Sequence, residues 1–188
     1  GTALPARWAQ TAPVQNGLAW TQRASPGPSA RYSGVLAYDA LRGVSVLFGG
    51  FTTVVLNDTW EWDGSGWTAR APVASPSARR NHQMVYDPVR QRVVLFGGFT
   101  TAYVNDTWEY DGNTWTNRTP GTSPSIRSHS DLVYDSARNR TVLFGGWNGA
   151  NLGETWEWVT PSTIAEMILS LYLLQQKLGS GNASDSRG

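Results

Sequence analysis

The sequence Val-Leu-Phe-Gly-Gly occurs three times in the chain, beginning at Val46, Val94 and Val142. The spacing between successive copies is 48 residues in both cases. Self-similarity at a fixed period of this size indicates repeated supersecondary units that bury their apolar faces against one another. The repeat therefore constrains the fold more strongly than any other feature of the sequence.

Other residues recur in register with the paired glycines. They are Arg31, Arg79 and Arg127; Tyr38-Asp39, Tyr86-Asp87 and Tyr134-Asp135; Trp60-Glu61-Trp62, Trp108-Glu109-Tyr110 and Trp156-Glu157-Trp158; and, in two copies, Trp67 and Trp115. An acid and an arginine also share one turn spacing in each copy: Asp39 and Arg42, Asp87 and Arg90, Asp135 and Arg138. A charge present in every copy predicts a scaffold role, with turn hydrogen bonds and ion pairs.

Each unit is predicted to contain four short strands, named a to d. In the first unit they cover 33–38, 44–48, 56–62 and 66–70, which are rich in β-branched and aromatic residues and bounded by turn formers. Asp63-Gly64 predicts a tight turn between strands c and d, because glycine accepts a positive φ. The paired glycines are expected to end strand b, where a bulky neighbour approaches the backbone.

A Gly-Gly after an apolar strand, a downstream aromatic pair and a four-stranded unit of this length resemble the kelch repeat. The resemblance covers residues 16–158 and implies an all-β fold, a kelch-type β-propeller with three four-stranded blades per chain. The family's Arg-x-x-His element is intact only at Arg79 to His82. Gly34 and Ser130 stand at the matching positions, and the third copy has His129 one residue early.

The rest of the chain does not follow the repeat. Residues 1–15 are predicted to be an N-terminal extension and 179–188 a flexible tail. Residues 159–178 predict an amphipathic α-helix, with apolar residues at helical spacing and Thr163 and Glu166 placed as in a capping box. Its apolar stripe is expected to pack on the propeller or on a second copy, or to lie on a membrane surface.

Counting strands predicts an incomplete ring. Asn16 to Trp20 matches Asp63 to Trp67, so residues 18–23 provide a spare strand d, whereas the third unit stops after strand c at Trp158. Propellers have roughly 4 to 8 blades, and an open arc of three would expose two aromatic faces. We therefore expect a homodimer of six blades, each chain completing the third blade of the other. The alternative is a fragment of a longer propeller.

Composition excludes several functions. The net charge of +1 gives no indication of a nucleic-acid partner. The apolar run Ile164 to Leu174 is too short to span a bilayer, which takes about 20 residues. The chain has no cysteine, which excludes disulfides and the copper chemistry of the galactose-oxidase kind known in related propellers, because that chemistry needs a Cys-modified Tyr.

His82, His129 and Asp131 form the one candidate metal site, since both histidines precede or begin an innermost strand a. Two histidines and a carboxylate can hold zinc or another divalent transition metal, which lowers the pKa of bound water to about 7. Such a site predicts a metal-assisted hydrolase of phosphoesters or other activated esters. The alternative is that His82 is simply the structural histidine of the family.

The loops between strands b and c carry aromatic residues, namely Phe51, Phe99, Tyr103 and Trp147. Loops on a rigid scaffold are where binding normally occurs. These side chains predict a surface for a glycan, peptide or small-molecule ligand, or else pack between blades. The sequence thus favours a binding or scaffold module, with the hydrolase as its alternative.

Overall fold

The computed structural model describes residues 19–23, 26–159 and 172. Within them the chain forms eleven β-strands: β1 (Val35–Asp39), β2 (Val44–Phe51), β3 (Val55–Trp62), β4 (Trp67–Arg70), β5 (Gln83–Asp87), β6 (Arg92–Phe99), β7 (Tyr103–Tyr110), β8 (Trp115–Asn117), β9 (Asp131–Asp135), β10 (Arg140–Phe144) and β11 (Thr155–Trp158). In this part of the chain no helix is long and apolar enough to cross a membrane.

The strands form three antiparallel sheets, one for each repeat. Blade 1 is β1-β2-β3-β4, blade 2 is β5-β6-β7-β8, and blade 3 is the three-stranded sheet β9-β10-β11. Strands β1, β5 and β9 contact one another in sequence, so strand a is innermost in every blade. These sheets match the three predicted blades, and within the described residues blade 3 consists of strands a to c.

In blades 1 and 2 the paired glycines bend strand b rather than end it, which corrects the sequence expectation there. In blade 3 the expectation holds, because β10 ends at Phe144, directly before Gly145. Strand β2 continues through a bulge between Phe48 and Gly50 to Phe51. Gly49 has φ 58°, and a Cβ there would lie 2.7 Å from the carbonyl oxygen of Arg79. The nearest neighbours of that position are therefore backbone carbonyls, and the His82 ring follows at 3.4 Å.

The core lies between blades 1 and 2 and is largely aromatic. It contains Ala37, Val46, Phe48, Met84, Tyr86, Val93, Leu95, Tyr110 and Trp115. The same positions are open at the two ends of the arc. Leu36 in blade 1 is 55% exposed, whereas Met84, its counterpart in blade 2, is 6% exposed. Phe144 in blade 3 is 52% exposed, whereas Phe48 is fully buried.

Several expectations fall outside these strands. Residues 19–23, where the spare strand d was predicted, form no strand in the single chain and are exposed. The predicted extension 1–15, the helix over 159–178 apart from Val159 and Tyr172, and the tail 179–188 lie outside the described residues.

Candidate functional site

A buried arginine fixes the start of every blade. The Arg79 side chain donates to the Gly97 carbonyl at 3.0 Å and to both carboxylate oxygens of Asp106 at 2.6 and 2.8 Å. Burial opposes ionisation of Asp106, but hydrogen bonds from Arg79 and Trp108 keep its pKa below the ordinary value. Arg31 with Asp58 and Arg127 with Glu154 repeat the contact, so these charges belong to the scaffold.

Trp115 of strand d seals the junction between blades 1 and 2. Its ring centre lies 5.2 Å from that of Phe48, and its indole N–H donates to Thr59 Oγ1 at 3.1 Å. Its backbone N–H donates to the Ala74 carbonyl at 3.2 Å. One side chain from a fourth strand thus closes the interface to the preceding blade.

A second contact across each junction joins an arginine, a glutamate and an aromatic ring. The Arg42 guanidinium lies 5.4 Å from the ring centre of Tyr110, whose hydroxyl donates to Glu61 at 3.2 Å. Between blades 2 and 3 the Trp158 indole N–H donates to Glu109 at 3.4 Å, and Arg90 lies 5.1 Å from its ring centre.

The repeated turn charges are scaffold, as predicted. Asp39, Asp87 and Asp135 each accept two backbone N–H bonds within their turns. Arg42 and Arg138 pair with their turn acid, whereas Arg90 pairs with Glu109 on strand c.

Three of the aromatic residues predicted in the b–c loops lie instead at strand ends beside them: Phe51 and Phe99 end β2 and β6, and Tyr103 begins β7. These rings contact one another in part. The guanidinium of Arg80 lies between the rings of Phe51 and Phe99, 5.0 and 5.4 Å from their centres. Phe99 also meets Tyr103 edge-on, with ring centres 5.2 Å apart. Trp147 is 40% exposed on blade 3. The sequence analysis found the rings but missed Arg80, which occupies a position held by Tyr32 and Ser128 in the other blades.

The two histidines occupy different environments. His82 is buried, with its ring centre 5.6 Å from that of Phe48. Burial, and after it the positive charge of Arg79, lowers the pKa of His82 from 6.5 to about 3. The imidazole is therefore neutral near pH 7.

His129 is exposed and has a left-handed backbone, with φ 55°. Ser33 and Asn81 have the same conformation at φ 57° and 56°, so His129 matches these residues rather than His82. Its Nδ1 lies 2.8 Å from Ser128 Oγ. The histidine that stands one residue early in the third copy therefore occupies the left-handed position of the blade and not the buried position of His82.

The candidate metal residues are only partly brought together. His129 and Asp131 line one open cleft with Phe144 and Trp147, at the free edge of blade 3, and His82 does not line it. Among the residues that the structure describes, no group of three His, Asp or Glu side chains could hold a metal ion.

A second opening lies between blades 2 and 3, where the described part of blade 3 contains no strand d. Phe96 and Thr107 line it, and they lie 48 residues after Phe48 and Thr59, the residues that hold Trp115. Thr122 forms another wall, 48 residues after Ala74. The opening is therefore the tryptophan slot of blade 3, lined by residues that are already in place.

Three consecutive, mutually packed sheets with strand a innermost define the chain as a protein of the β-propeller class. Residues 14–164 match the family described as the KLHDC2/KLHL20/DRC7 Kelch-repeats domain, and the chain belongs to the kelch-repeat family. The resemblance seen in the sequence is thereby confirmed. None of the curated proteins compared with the chain by sequence matches it.

Two solved structures illustrate the fold. One, described as the structure of YjhT, is 14% identical with a TM-score of 0.56; the match covers 71% of this chain and 44% of that one. The other, a fungal alcohol oxidase of the AA5 family in complex with copper, is 20% identical with a TM-score of 0.53; the match covers 70% and 31%. This chain therefore spans less than half of either protein.

Proposed function

We propose that the chain is an interaction module that becomes a closed six-bladed propeller when two copies pair. The kelch domain implies a protein-interaction or scaffold role. The observation that carries the pairing is the complementarity of the two ends: each end presents one half of a blade junction that the chain forms twice internally. A kelch blade face is apolar and needs a neighbouring blade.

The backbone at the ends supports this pairing. Within the chain Gly50 N–H donates to the Arg79 carbonyl at 2.9 Å, and Gly98 N–H donates to the Arg127 carbonyl at 2.8 Å. At the ends of the chain, the corresponding donor is the Gly146 N–H and the corresponding acceptor is the Arg31 carbonyl of a second copy. The cleft beside Gly146 is where that segment would dock.

The side chains at the ends also match. Trp62 stands where Tyr110 and Trp158 stand in their junctions, and it has no preceding blade. Arg138 and Glu157, 71% and 42% exposed, are the arginine and glutamate that such a ring would cover. A head-to-tail pair of chains would form both contacts twice.

Trp20 is the residue that we assign to the open slot. It matches Trp67 and Trp115 in the repeat, and it is fully exposed in the single chain. In the slot its indole N–H would donate to Thr107 and its backbone N–H to Thr122, as Trp115 donates to Thr59 and Ala74. A buried tryptophan removes ~150–250 Å² from water, or about 4–6 kcal/mol per slot before ordering costs.

Chain connectivity favours the slot of a second copy over the chain's own. Trp67 is followed twelve residues later by Arg79 of the next blade, and Trp20 is followed eleven residues later by Arg31 of blade 1. Trp20 therefore belongs to the blade that immediately precedes blade 1. In a six-bladed ring that blade is blade 3 of the second copy.

The test is native mass spectrometry of the purified chain, the Trp20→Ala variant and a Val73→Ala control. Val73 is 99% exposed and lies outside every junction. We expect a dimer for the chain and the control, and at least a hundredfold weaker dimer for Trp20→Ala. A monomer at tens of micromolar would overturn the ring and favour a fragment of a longer propeller. An undisturbed Trp20→Ala dimer would overturn strand donation alone.

The metal-assisted hydrolase stays an untested prediction. The same spectrum reports bound metal, and stoichiometric zinc that disappears in His129→Ala would support it. No observation on the described residues favours it over the interaction module.

A further inference from the structure

The Arg80 side chain differs from the other arginines of the described chain. Every other described arginine that is at least partly buried donates a side-chain hydrogen bond to a protein oxygen. Arg80 donates none, and its Nε is buried without an acceptor. The ion pairs found among these residues all involve other arginines.

The guanidinium of Arg80 is nevertheless held in one place. The rings of Phe51 and Phe99 lie on either side of it, at 5.0 and 5.4 Å. Its backbone is bonded in both directions to Phe99, at 3.0 and 2.8 Å. Each cation–π contact attracts the guanidinium to the ring face and restricts the rotamers of the side chain. The charge is thus ordered before any ligand arrives, which lowers the cost of binding.

The fold itself does not require a cation at this position. The matching residues in blades 1 and 3 are Tyr32 and Ser128. Tyr32 packs on Phe51 with ring centres 5.4 Å apart, so an uncharged ring can fill the same place. Because blades 1 and 3 begin with tyrosine and serine at this position, the fold has no structural need for an unpaired guanidinium there.

We infer that Arg80, with Phe51 and Phe99 as apolar walls, binds the carboxylate of an acidic peptide on the b–c loop face. A guanidinium is a planar fork that matches a planar carboxylate with two parallel hydrogen bonds. A single cation suits a monoanion better than a phosphate dianion, and a chain of net charge +1 offers no basic surface for a nucleic acid. The inference rests on the proposed role as an interaction module, but it does not need the pairing of two copies, because all three residues lie in blades 1 and 2.

The test follows the Arg80 guanidinium resonance by NMR in the full chain. The probes are a capped pentapeptide with a central glutamate between alanines, the same peptide with glutamine, and inorganic phosphate. The variants are Arg80→Ser and Arg80→Tyr, which introduce the residues of the other blades, and Arg92→Ser, which removes another partly exposed cation.

We expect a saturable shift with the glutamate peptide, at least tenfold weaker binding of the glutamine peptide, loss in both Arg80 variants and retention in Arg92→Ser. A tenfold loss of affinity corresponds to about 1.4 kcal/mol. Equal binding of both peptides, binding of phosphate alone, or binding unchanged in Arg80→Ser would each overturn the inference. The mass of the complex, measured on the same samples, reports the pairing of chains separately.

Discussion

At the scale of single residues, the acid that pairs with the first arginine of a blade is one methylene group longer in blade 3 than in the other two. Asp58 and Asp106 each accept the indole N–H of the tryptophan two residues later, at 2.7 and 2.6 Å. Glu154 replaces them in blade 3, and the Trp156 indole nitrogen is buried without a partner. The longer side chain reaches Arg127 but leaves the indole unsatisfied, and a buried unsatisfied donor costs about 1–3 kcal/mol.

We therefore expect Glu154→Asp to stabilise the protein by about 1 kcal/mol, because aspartate can accept from both Arg127 and Trp156. Urea unfolding at pH 7 measures the change. Glu157→Asp is the control, since Glu157 pairs with Arg140 near the surface, and it should give no gain. A Glu154→Asp variant no more stable than the parent would contradict this explanation of the unpaired Trp156 indole N–H.

His82 should make stability depend on pH. Its pKa is about 3 in the folded protein, against an ordinary value of 6.5, because burial and then Arg79 disfavour the charged ring. The unfolded chain therefore binds more protons between these values. The contribution of neutral His82 to the free energy of unfolding is fully present above pH ~6.5. It is lost as the pH falls below that value, at up to about 1.4 kcal/mol per pH unit.

Denaturant midpoints of the parent and of His82→Gln, measured from pH 8 to pH 4, should diverge below pH ~6. The parent is expected to lose stability faster than the variant, because glutamine does not titrate. Parallel curves would mean that His82 can be protonated in the folded state. His82→Ser, which copies Ser130 of blade 3, serves if the glutamine variant folds poorly.

At the scale of elements, the bulge in strand b joins one blade to the next. Gly49 has φ 58° and touches the Arg79 carbonyl, whereas Gly43 has φ 68° and open space around its Cβ position. Both backbones are left-handed, so alanine costs about 1–2 kcal/mol at either position. Only Gly49 adds a clash with the backbone of another blade.

We expect Gly49→Ala to destabilise the protein by about 1–3 kcal/mol more than Gly43→Ala, because overpacking a core against fixed backbone adds a cost of that size. Thermal unfolding of the two variants measures the difference. Equal losses would show that the junction can move apart to accommodate a methyl group.

At the scale of the whole molecule, stability should depend on protein concentration. If two copies share their blade faces and their tryptophan slots, association and folding are linked, and dilution favours the separated chains. A tenfold increase in concentration should raise Tm by about 2–4 °C for a chain of this size. Calorimetry at several concentrations measures the effect, with Trp20→Ala as the variant in which it should be reduced. A Tm independent of concentration would argue against shared folding.

Much of this structure follows from the sequence because its signals are local and occur three times. Alternation of apolar residues, turn formers at Asp63-Gly64 and the recurrence of Val-Leu-Phe-Gly-Gly predict the strands and the three blades. Agreement among three copies corrects for the weakness of any one. Even the pairing of Arg42 with its turn acid follows from spacing, because turn contacts are short-range.

The tertiary structure decided what depends on neighbours distant in sequence. The sequence does not decide whether a Gly-Gly pair ends strand b or forms a bulge in it. In blade 1 the structure shows a bulge, with the Arg79 carbonyl of the next blade against Gly49. The sequence shows that the two histidines are offset by one residue, but only the structure shows the result: His129 takes the left-handed position of Asn81 and is exposed, whereas His82 is buried. Arg80 became a candidate only when Phe51 of one blade and Phe99 of the next enclosed it. Local periodicity sets which residues form a blade, whereas burial, charge pairing and binding surfaces arise where blades meet.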